Sequence, residues 1–202
     1  MSRPEPAADA GAERPLRADA RRNRDKVVAV ARAAFAAAGD TVPLETIARE
    51  AGVGIGTLYR NFPTREALVE AVYAAELDDV TQSSPGLLEQ FPPDVALRAW
   101  LDRYAQFSAV KRGMIDTLRA GWSAGRITPR TRERVNAAIE TILTAGARSG
   151  SLRADVRADD VTTMLLGVFL STAASGGTPE QRSRLLDLLV DALRPVPPRQ
   201  MG

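Results

Sequence analysis

The stretch LETIAREAGVGIGTLYRNF, residues 44–62, decides how the N-terminal part of this chain folds. In its first half, apolar residues recur at the i, i+3, i+4 and i+7 positions of a single helix face, occupied by Leu44, Ile47, Ala48 and Ala51. Gly52 follows, and glycine readily adopts the left-handed backbone conformation that ends many helices. The pattern therefore predicts a short helix, a tight turn and a second short helix.

The second helix of this stretch divides into an inner and an outer face. Leu58 and Phe62 are four residues apart and share the inner face, where they close a small core. The outer face carries side chains that can form hydrogen bonds: Thr57, Tyr59, Arg60 and Asn61. A helix-turn-helix that reads DNA needs this division, because one face packs on its own domain while the other enters a groove of the duplex.

The composition excludes several kinds of chemistry. The 202 residues include no cysteine and no histidine, which removes disulfides, thiolate nucleophiles, and catalysis or zinc binding by histidine. We therefore expect no metal site, no cofactor and no enzymatic activity. Hydrophobic residues make up 45% and aromatic residues only 5% of a chain rich in alanine, leucine and arginine, so an all-α fold is predicted.

The basic residues are unevenly distributed, although the formal net charge is only +2. Residues 14–65 contain ten basic and five acidic residues. Such a local excess is typical of a surface that binds a polyanion, and a solvated charged face is an equally good interpretation of charge alone. The longest apolar run, residues 164–170, is too short to span a bilayer. We expect a cytoplasmic protein without membrane contacts.

Four segments are expected along the chain. They are a disordered tail over residues 1–15, a three-helix helix-turn-helix domain over 16–80, a helical C-terminal domain over 81–195 and a flexible tail over 196–202. Outside the 44–62 stretch, the spacing of apolar residues predicts helices over 17–38, 65–80, 94–110, 112–124, 130–149, 156–175 and 179–194. Residues 81–86, which contain Pro and Gly, and residues 91–93, which contain two Pro, are predicted to be breaks between helices.

The segment from Ala20 to Glu76, and especially IAREAGVGIGTLYRNFPTREALVEAV at residues 47–72, resembles the DNA-binding domain of the tetracycline-repressor (TetR/AcrR) family. The Ile-Ala helix, the Ala-Gly-Val turn, the Gly-Thr-Leu-Tyr sequence and the aromatic residue at Phe62 occur in the family's order and spacing. The resemblance implies a homodimer whose N-terminal domains bind a palindromic operator in double-stranded DNA. It also implies a C-terminal domain that dimerises and binds a small effector, whose binding releases a repressor from DNA.

The residues expected to contact DNA lie in and around the helix-turn-helix. Gly56 permits close approach of the backbone to DNA, Thr57 can meet a base edge, and Tyr59 has the family role of placing its hydroxyl on a phosphate. Alternatively, the glycines only shape the turn and the arginine run is only a solvated face. The full set is Gly54, Ile55, Gly56, Thr57, Tyr59, Arg60, Asn61, Arg65 at the next helix start, Thr41, and Arg21, Arg22 and Arg24 in an N-terminal arm.

Two positions depart from the family pattern. The family often has Thr at the start of the second helix, where this chain has Val42 and Pro43, so Thr41 is the substitute considered for that phosphate contact. The family often has His before the aromatic residue, where this chain has Asn61. An amide can donate to a phosphate oxygen but carries no charge.

Larger apolar side chains of the C-terminal domain are candidates for an effector pocket, although a stripe at helical spacing is more often core. They are Trp100, Tyr104, Phe107, Met114, Leu118, Trp122 and Met164, with Arg103, Asp116 and Arg119 as nearby polar candidates. Two apolar bands on the last helices are predicted to form the dimer interface, and burial within one subunit is the alternative. The predicted interface residues are Val161, Leu165, Val168, Phe169, Leu185, Leu186, Leu189 and Leu193.

Two other classes of function compete with a DNA-binding regulator. The first is a small-molecule binding or interaction protein whose DNA contacts are vestigial, and the intact Tyr59, Arg60 and Arg65 argue against it. The second is an enzyme, which the absence of an evident nucleophile–base pair or metal-ligand set disfavours.

Overall fold

The computed structural model describes residues 13–123 and 130–195, with side chains for 19–119 and 130–195. Within these ranges every element is an α-helix, which confirms the all-α prediction. The helices are α1 (Glu13–Ala38), α2 (Leu44–Glu50), α3 (Ile55–Asn61), α4 (Arg65–Thr81), α5 (Ser84–Gln90), α6 (Pro93–Gly113), α7 (Ile115–Ser123), α8 (Thr131–Ser149), α9 (Ala158–Ala174) and α10 (Pro179–Leu193). We call α1–α4 the head and α5–α10 the body. The predicted tails fall mostly or wholly outside the described residues.

Two element predictions were wrong in detail. Helix α1 begins at Glu13, before the predicted residue 17. The predicted break at residues 81–86 contains the start of α5, because Pro85 lies in the first turn, where its missing N–H costs no hydrogen bond. Leu87, from the same short helix, is buried and fixes α5 against the core.

The head takes its shape from two glycines with left-handed backbone. Gly39 (φ +73°) ends α1, and Gly52 (φ +66°) forms the turn between α2 and α3, as predicted. The amide of Val53 donates to the carbonyl of Ala48 (3.0 Å) and closes this turn. Thr64 then caps α4, since its hydroxyl accepts from the amide of Ala67 (3.2 Å).

Head and body share one continuous core. Val27, Phe35 and Ile47 from the head belong to the same cluster of buried residues as Leu101 and Ile139 from the body. Helix α4 links the two parts, and the indole N–H of Trp100 donates to the carbonyl of Val80 near the end of α4 (2.9 Å). No helix in the described part of the chain is long and apolar enough to cross a membrane.

Candidate nucleic-acid interface and effector cavity

The outer face of α3 is exposed, and its inner face is buried, as the spacing predicted. Leu58 and Phe62 are 0% and 1% exposed, whereas Ile55 and Tyr59 are 38% and 44% exposed. An isoleucine and a tyrosine standing in solvent are not explained by packing within the chain. Together with the exposed Arg60 they form a mixed apolar and polar surface on a short helix.

Gly54 and Gly56 have no internal reason to be glycine. Gly54 has an ordinary extended backbone (φ −66°, ψ 145°), and neither residue has a positive φ. A Cβ built at either position meets no atom within 4 Å. The alternative that these glycines only shape the turn is therefore not supported, because the turn's left-handed residue is Gly52. Glycines at these two positions leave room for another molecule to approach the backbone of α3.

Arg60 and Asn61 turn back onto their own helix in the free protein. Nε of Arg60 donates to the carbonyl of Gly56 (3.2 Å) and Nη2 donates to Oγ1 of Thr57 (3.0 Å). The side-chain amide of Asn61 donates to the carbonyl of Thr57 (2.9 Å). A DNA contact by Arg60 would thus replace local hydrogen bonds that are exposed to water and easily exchanged.

Arg65 has a structural role that the sequence did not predict. Its Nη1 donates to the carbonyls of Asp40 and Val42 (2.7 Å for Val42), and the side chain is half-buried. The guanidinium thereby joins the start of α4 to the connection between α1 and α2. One nitrogen of the guanidinium is thus occupied by backbone oxygens, and the contact of Arg65 with DNA stays a prediction.

The predicted DNA contacts outside α3, in the N-terminal arm and at Thr41, are exposed. Arg21, Arg22 and Arg24 are exposed on α1, and the guanidinium of Arg24 lies 5.1 Å from the centre of the Phe62 ring at the end of α3. Arg22 pairs with Asp19 one turn earlier. Thr41 is exposed in the connection that precedes α2.

The same connection ties the head to the body. The amide of Asp40 donates to the carbonyl of Gly113 at the end of α6 (2.9 Å), and the carboxylate of Asp40 accepts from the hydroxyl of Thr117 in α7. Helices α1 and α6 approach so closely that a Cβ on Gly113 would lie 2.7 Å from the carbonyl oxygen of Phe35. Glycine at position 113 is therefore required by this contact.

Three of the seven large apolar residues predicted to line a pocket belong to the core instead. Trp100, Met114 and Leu118 are fully buried, and none of them lines a described cavity. Met164 is 49% exposed on the outer side of α9. The side chain of Trp122 lies outside the described residues. The apolar stripe was therefore mainly core, because long helices surrounded by neighbours bury more than one face.

Tyr104 and Phe107, by contrast, line cavities in the body. A cavity of about 290 Å³ lies among α4, α6, α8 and α9, and one of about 330 Å³ lies beside it among α6, α7 and α9. The two share Tyr104, Lys111 and Leu166. We call the pair the α6–α9 cavity.

Lys111 and Tyr73 also line this cavity and were not predicted to do so. A signal for Lys111 was available, since it is one of only two lysines in the chain and lies four residues after Phe107 and seven after Tyr104 on one helix face. Burial lowers the pKa of the Lys111 ammonium. Burial likewise raises the pKa of Tyr104 to about 12 and raises that of Tyr73, whose hydroxyl also meets that of Thr131.

The predicted dimer residues are mostly buried inside one subunit. Val161, Leu165 and Phe169 of α9, and Leu186, Leu189 and Leu193 of α10, are between 0% and 5% exposed in the single chain. These six have no surface left for a partner, so their assignment as contact residues needs correcting, while Val168 and Leu185 are half-buried. The helices pack inward, and Arg98 of α6 fastens α10 through Asp187 (2.5 Å) and Ser183 (2.7 Å).

The outward side of the same two helices carries other apolar residues. Met164 and Leu170 of α9 are 49% and 70% exposed, and Leu188 of α10 is 63% exposed. In the described part of the chain, no group of three or more acidic side chains is arranged to hold a metal ion.

Comparison with known proteins agrees with this architecture. The family described as bacterial regulatory proteins, tetR family, matches residues 27–72, and the family described as transcriptional regulator SbtR-like, C-terminal domain, matches residues 92–195. An HTH-type transcriptional regulator of Staphylococcus aureus is 27% identical over 108 residues, 52% of this chain. The chain spans 58% of the length of that relative.

Two solved structures resemble the chain over most of its length. A TetR transcriptional regulator from Streptomyces coelicolor is 44% identical with a TM-score of 0.76, covering 86% of this chain and 99% of that one. The TetR transcription regulatory protein from Mycobacterium vanbaalenii is 33% identical with a TM-score of 0.70, covering 90% and 100%. These matches confirm the resemblance seen in residues 47–72: the chain belongs to the TetR family of DNA-binding, helix-turn-helix transcriptional regulators.

Proposed function

We propose that this regulator is a homodimeric repressor that binds a palindromic operator and leaves it when a small effector enters the body. The observation that carries the DNA-binding part is the outer face of α3. Neither packing nor backbone conformation within the chain requires a glycine at positions 54 and 56. Both lie beside the exposed side chains of Ile55 and Tyr59. A duplex pressed against α3 would explain both features, because it covers the apolar side chains and needs a close backbone approach.

The contacts expected on DNA divide into two kinds. Tyr59, Arg60, Thr41 and the arginines of the arm supply hydroxyls and positive charge for phosphates, which position the protein. Thr57 and Ile55 are short or apolar groups that can meet a base edge or a thymine methyl. With so few base-reading groups on α3, sequence-dependent DNA shape would contribute a large part of the specificity.

A homodimer is supported by the outward side of α9 and α10. Met164, Leu170 and Leu188 are large, apolar and exposed, and Gly167 on the same side of α9 allows a close approach of helices. Two such faces related by a two-fold axis would form a four-helix bundle. The two heads would then bind operator half-sites whose centres are about 34–36 Å apart, or a multiple of that spacing.

Coupling between effector and DNA would run through the end of α6. Lys111 lines the α6–α9 cavity two residues before Gly113, whose carbonyl accepts from the amide of Asp40. Arg65 also holds the carbonyl of Asp40 and thereby connects it to α4. An effector that binds better to one position of α6 would shift the population of head positions by its difference in affinity.

The proposal is tested by sequencing the genomic DNA fragments that the purified full-length protein retains. We expect enrichment of a palindromic sequence, and the variant Tyr59→Ala should lower the affinity for it by about tenfold or more, since a phosphate contact and apolar cover are lost together. Arg60→Ala should weaken binding as well. Arg148→Ala removes the same charge from an exposed position on α8 and serves as the control.

Absence of any enriched sequence, together with unchanged weak binding by Tyr59→Ala, would favour the alternative of a small-molecule binding protein with vestigial DNA contacts. An enriched motif without two-fold symmetry would contradict the homodimer on a palindrome.

A further inference from the structure

The α6–α9 cavity is surrounded by positive charge. Four of its lining residues are basic. Lys111 lines both parts, Arg132 lines the first part, and Arg112 and Arg119 line the second. Among the described residues that line the two parts, none is an aspartate or a glutamate. The cavity therefore has a strongly one-sided charge, while the chain as a whole carries only +2.

One of these cations is already neutralised by the protein. Nε of Arg132 donates to the carboxylate of Asp159 (2.7 Å), and Asn136 donates to the same oxygen (2.9 Å). The hydrogen bonds from Arg132 and Asn136 lower the pKa of Asp159 to about 2, so this pair stays ionised. Arg132 consequently closes one side of the cavity and contributes little net charge to it.

Lys111 is the cation that both parts of the cavity share. Burial lowers its pKa, which means that the ammonium has lost part of its hydration. The pKa of Arg112 is also lowered, first by burial and then by the charge of Arg182. Arg112 is exposed, so the argument rests on Lys111: a bound anion would offset its desolvation, because a charge-assisted hydrogen bond is strongest where water is scarce.

The remaining walls suit an apolar body with a hydrogen-bonding end. Leu166, Val135 and Phe107 supply aliphatic and aromatic surface. Tyr104 stands beside Lys111 in both parts, and its phenol stays protonated at neutral pH, so it can donate a hydrogen bond. Each part is close to the lower end of the range of small-molecule sites, roughly 300–1,000 Å³.

We propose that the α6–α9 cavity binds an organic anion, with its apolar body between α6 and α9 and its anionic group at Lys111 and Tyr104. That this anion acts as the effector rests on the function proposed above. Binding itself does not, because it follows from the charge and shape of the cavity alone.

The test compares three carboxylates with their uncharged primary amides. Phenylacetate, salicylate and octanoate, and the corresponding amides, are titrated calorimetrically into the full-length protein at pH 7. We expect at least one carboxylate to bind about tenfold or more tightly than its amide, since the basic residues that line the cavity attract an anion and not a neutral amide. Equal affinity of every acid and amide, or no binding of any of the six compounds at millimolar concentration, would overturn the proposal.

Variants locate the binding. Lys111→Met should lower the affinity of the preferred carboxylate about tenfold and abolish its preference over the amide. Tyr104→Phe keeps the ring that packs against Trp100, Phe107 and Phe169 and removes only the hydroxyl, so it should fold normally and show a smaller loss. Arg148→Met, at an exposed position of α8, should bind like the unaltered protein. If Lys111→Met still bound the carboxylate more tightly than its amide, the binding site would not lie in this cavity.

The same protein samples distinguish failure of the proposed anion site from failure of the proposed regulatory function. If the carboxylate binds but leaves the retained DNA unchanged, the anion site stands and its role as an effector site fails. If DNA is bound and no carboxylate preference exists, the regulator proposal stands and the anion site fails.

Discussion

The head and the body differ in how many faces of their helices are occupied. In the head, α3 is seven residues long and contains one buried residue, Leu58. Phe62, which follows the last residue of the helix, is also buried. The other residues of α3 are exposed or half-buried. In the body, α9 is buried along one side and carries large exposed apolar residues along the other. A short helix with one occupied face is easy to interpret from sequence, whereas a long helix with two apolar sides is not.

The largest expected effect separates the two sides of α10. Leu189→Asp places a charge at a position only 3% exposed and should destabilise the subunit by about 4 kcal/mol or more. Leu188→Asp, one residue earlier and 63% exposed, should leave the fold intact and convert the dimer into monomers that lose operator binding. Light scattering and urea unfolding measure the two outcomes. A stable dimer in Leu188→Asp would exclude this face of α10 from the interface.

The second effect tests whether the charge of the head is a DNA-binding surface. Arg21, Arg22 and Arg24 changed together to Ala should weaken DNA binding similarly across sequences and flatten the dependence of log K on log salt by roughly two to three. The matched control removes three exposed arginines of the body, Arg130, Arg148 and Arg157. An unchanged salt slope in the head variant would show that the arm is only a solvated face.

The third effect contrasts a glycine that the fold requires with one that it does not. Gly113→Ala puts a methyl group 2.7 Å from the Phe35 carbonyl and should cost about 1–3 kcal/mol of unfolding free energy. Gly56→Ala meets no atom and should stabilise α3 by about 0.5–1 kcal/mol. If DNA approaches the backbone closely at α3, Gly56→Ala should nevertheless weaken operator binding. Unchanged binding by this more stable variant would argue against that approach.

The smallest expected effect tests whether the head and the body unfold together. Thr64 caps α4 in the head and Thr178 caps α10 in the body, each accepting from a backbone amide at 3.2 Å. Thr64→Ala and Thr178→Ala should each cost about 1 kcal/mol. Both tryptophans, Trp100 and Trp122, belong to the body, so their fluorescence follows the body while circular dichroism follows the whole chain. Because one core joins the two parts, Thr64→Ala should lower both melting temperatures equally. A shift seen by circular dichroism alone would mean that the head unfolds separately.

The predictions from sequence succeeded where local chemistry decides the outcome. Gly52 has the left-handed backbone expected of a helix end, and Leu58 and Phe62 are buried opposite an exposed Tyr59. Each of these depends on neighbours within a few residues. Arg65 is different, because its partners, the carbonyls of Asp40 and Val42, are more than twenty residues away in the chain.

The amino-acid sequence by itself determined the all-helical class, the turn of the helix-turn-helix and the family, because these follow from helical periodicity, glycine positions and a short ordered motif. The tertiary structure decided which apolar residues of the body are core, which line a cavity and which remain outside. Trp100 and Tyr104 lie on one helix face, yet one is sealed in the core and the other lines the α6–α9 cavity. The physical reason is that periodicity identifies the apolar side of a helix, while burial depends on how closely the neighbouring helices approach that side.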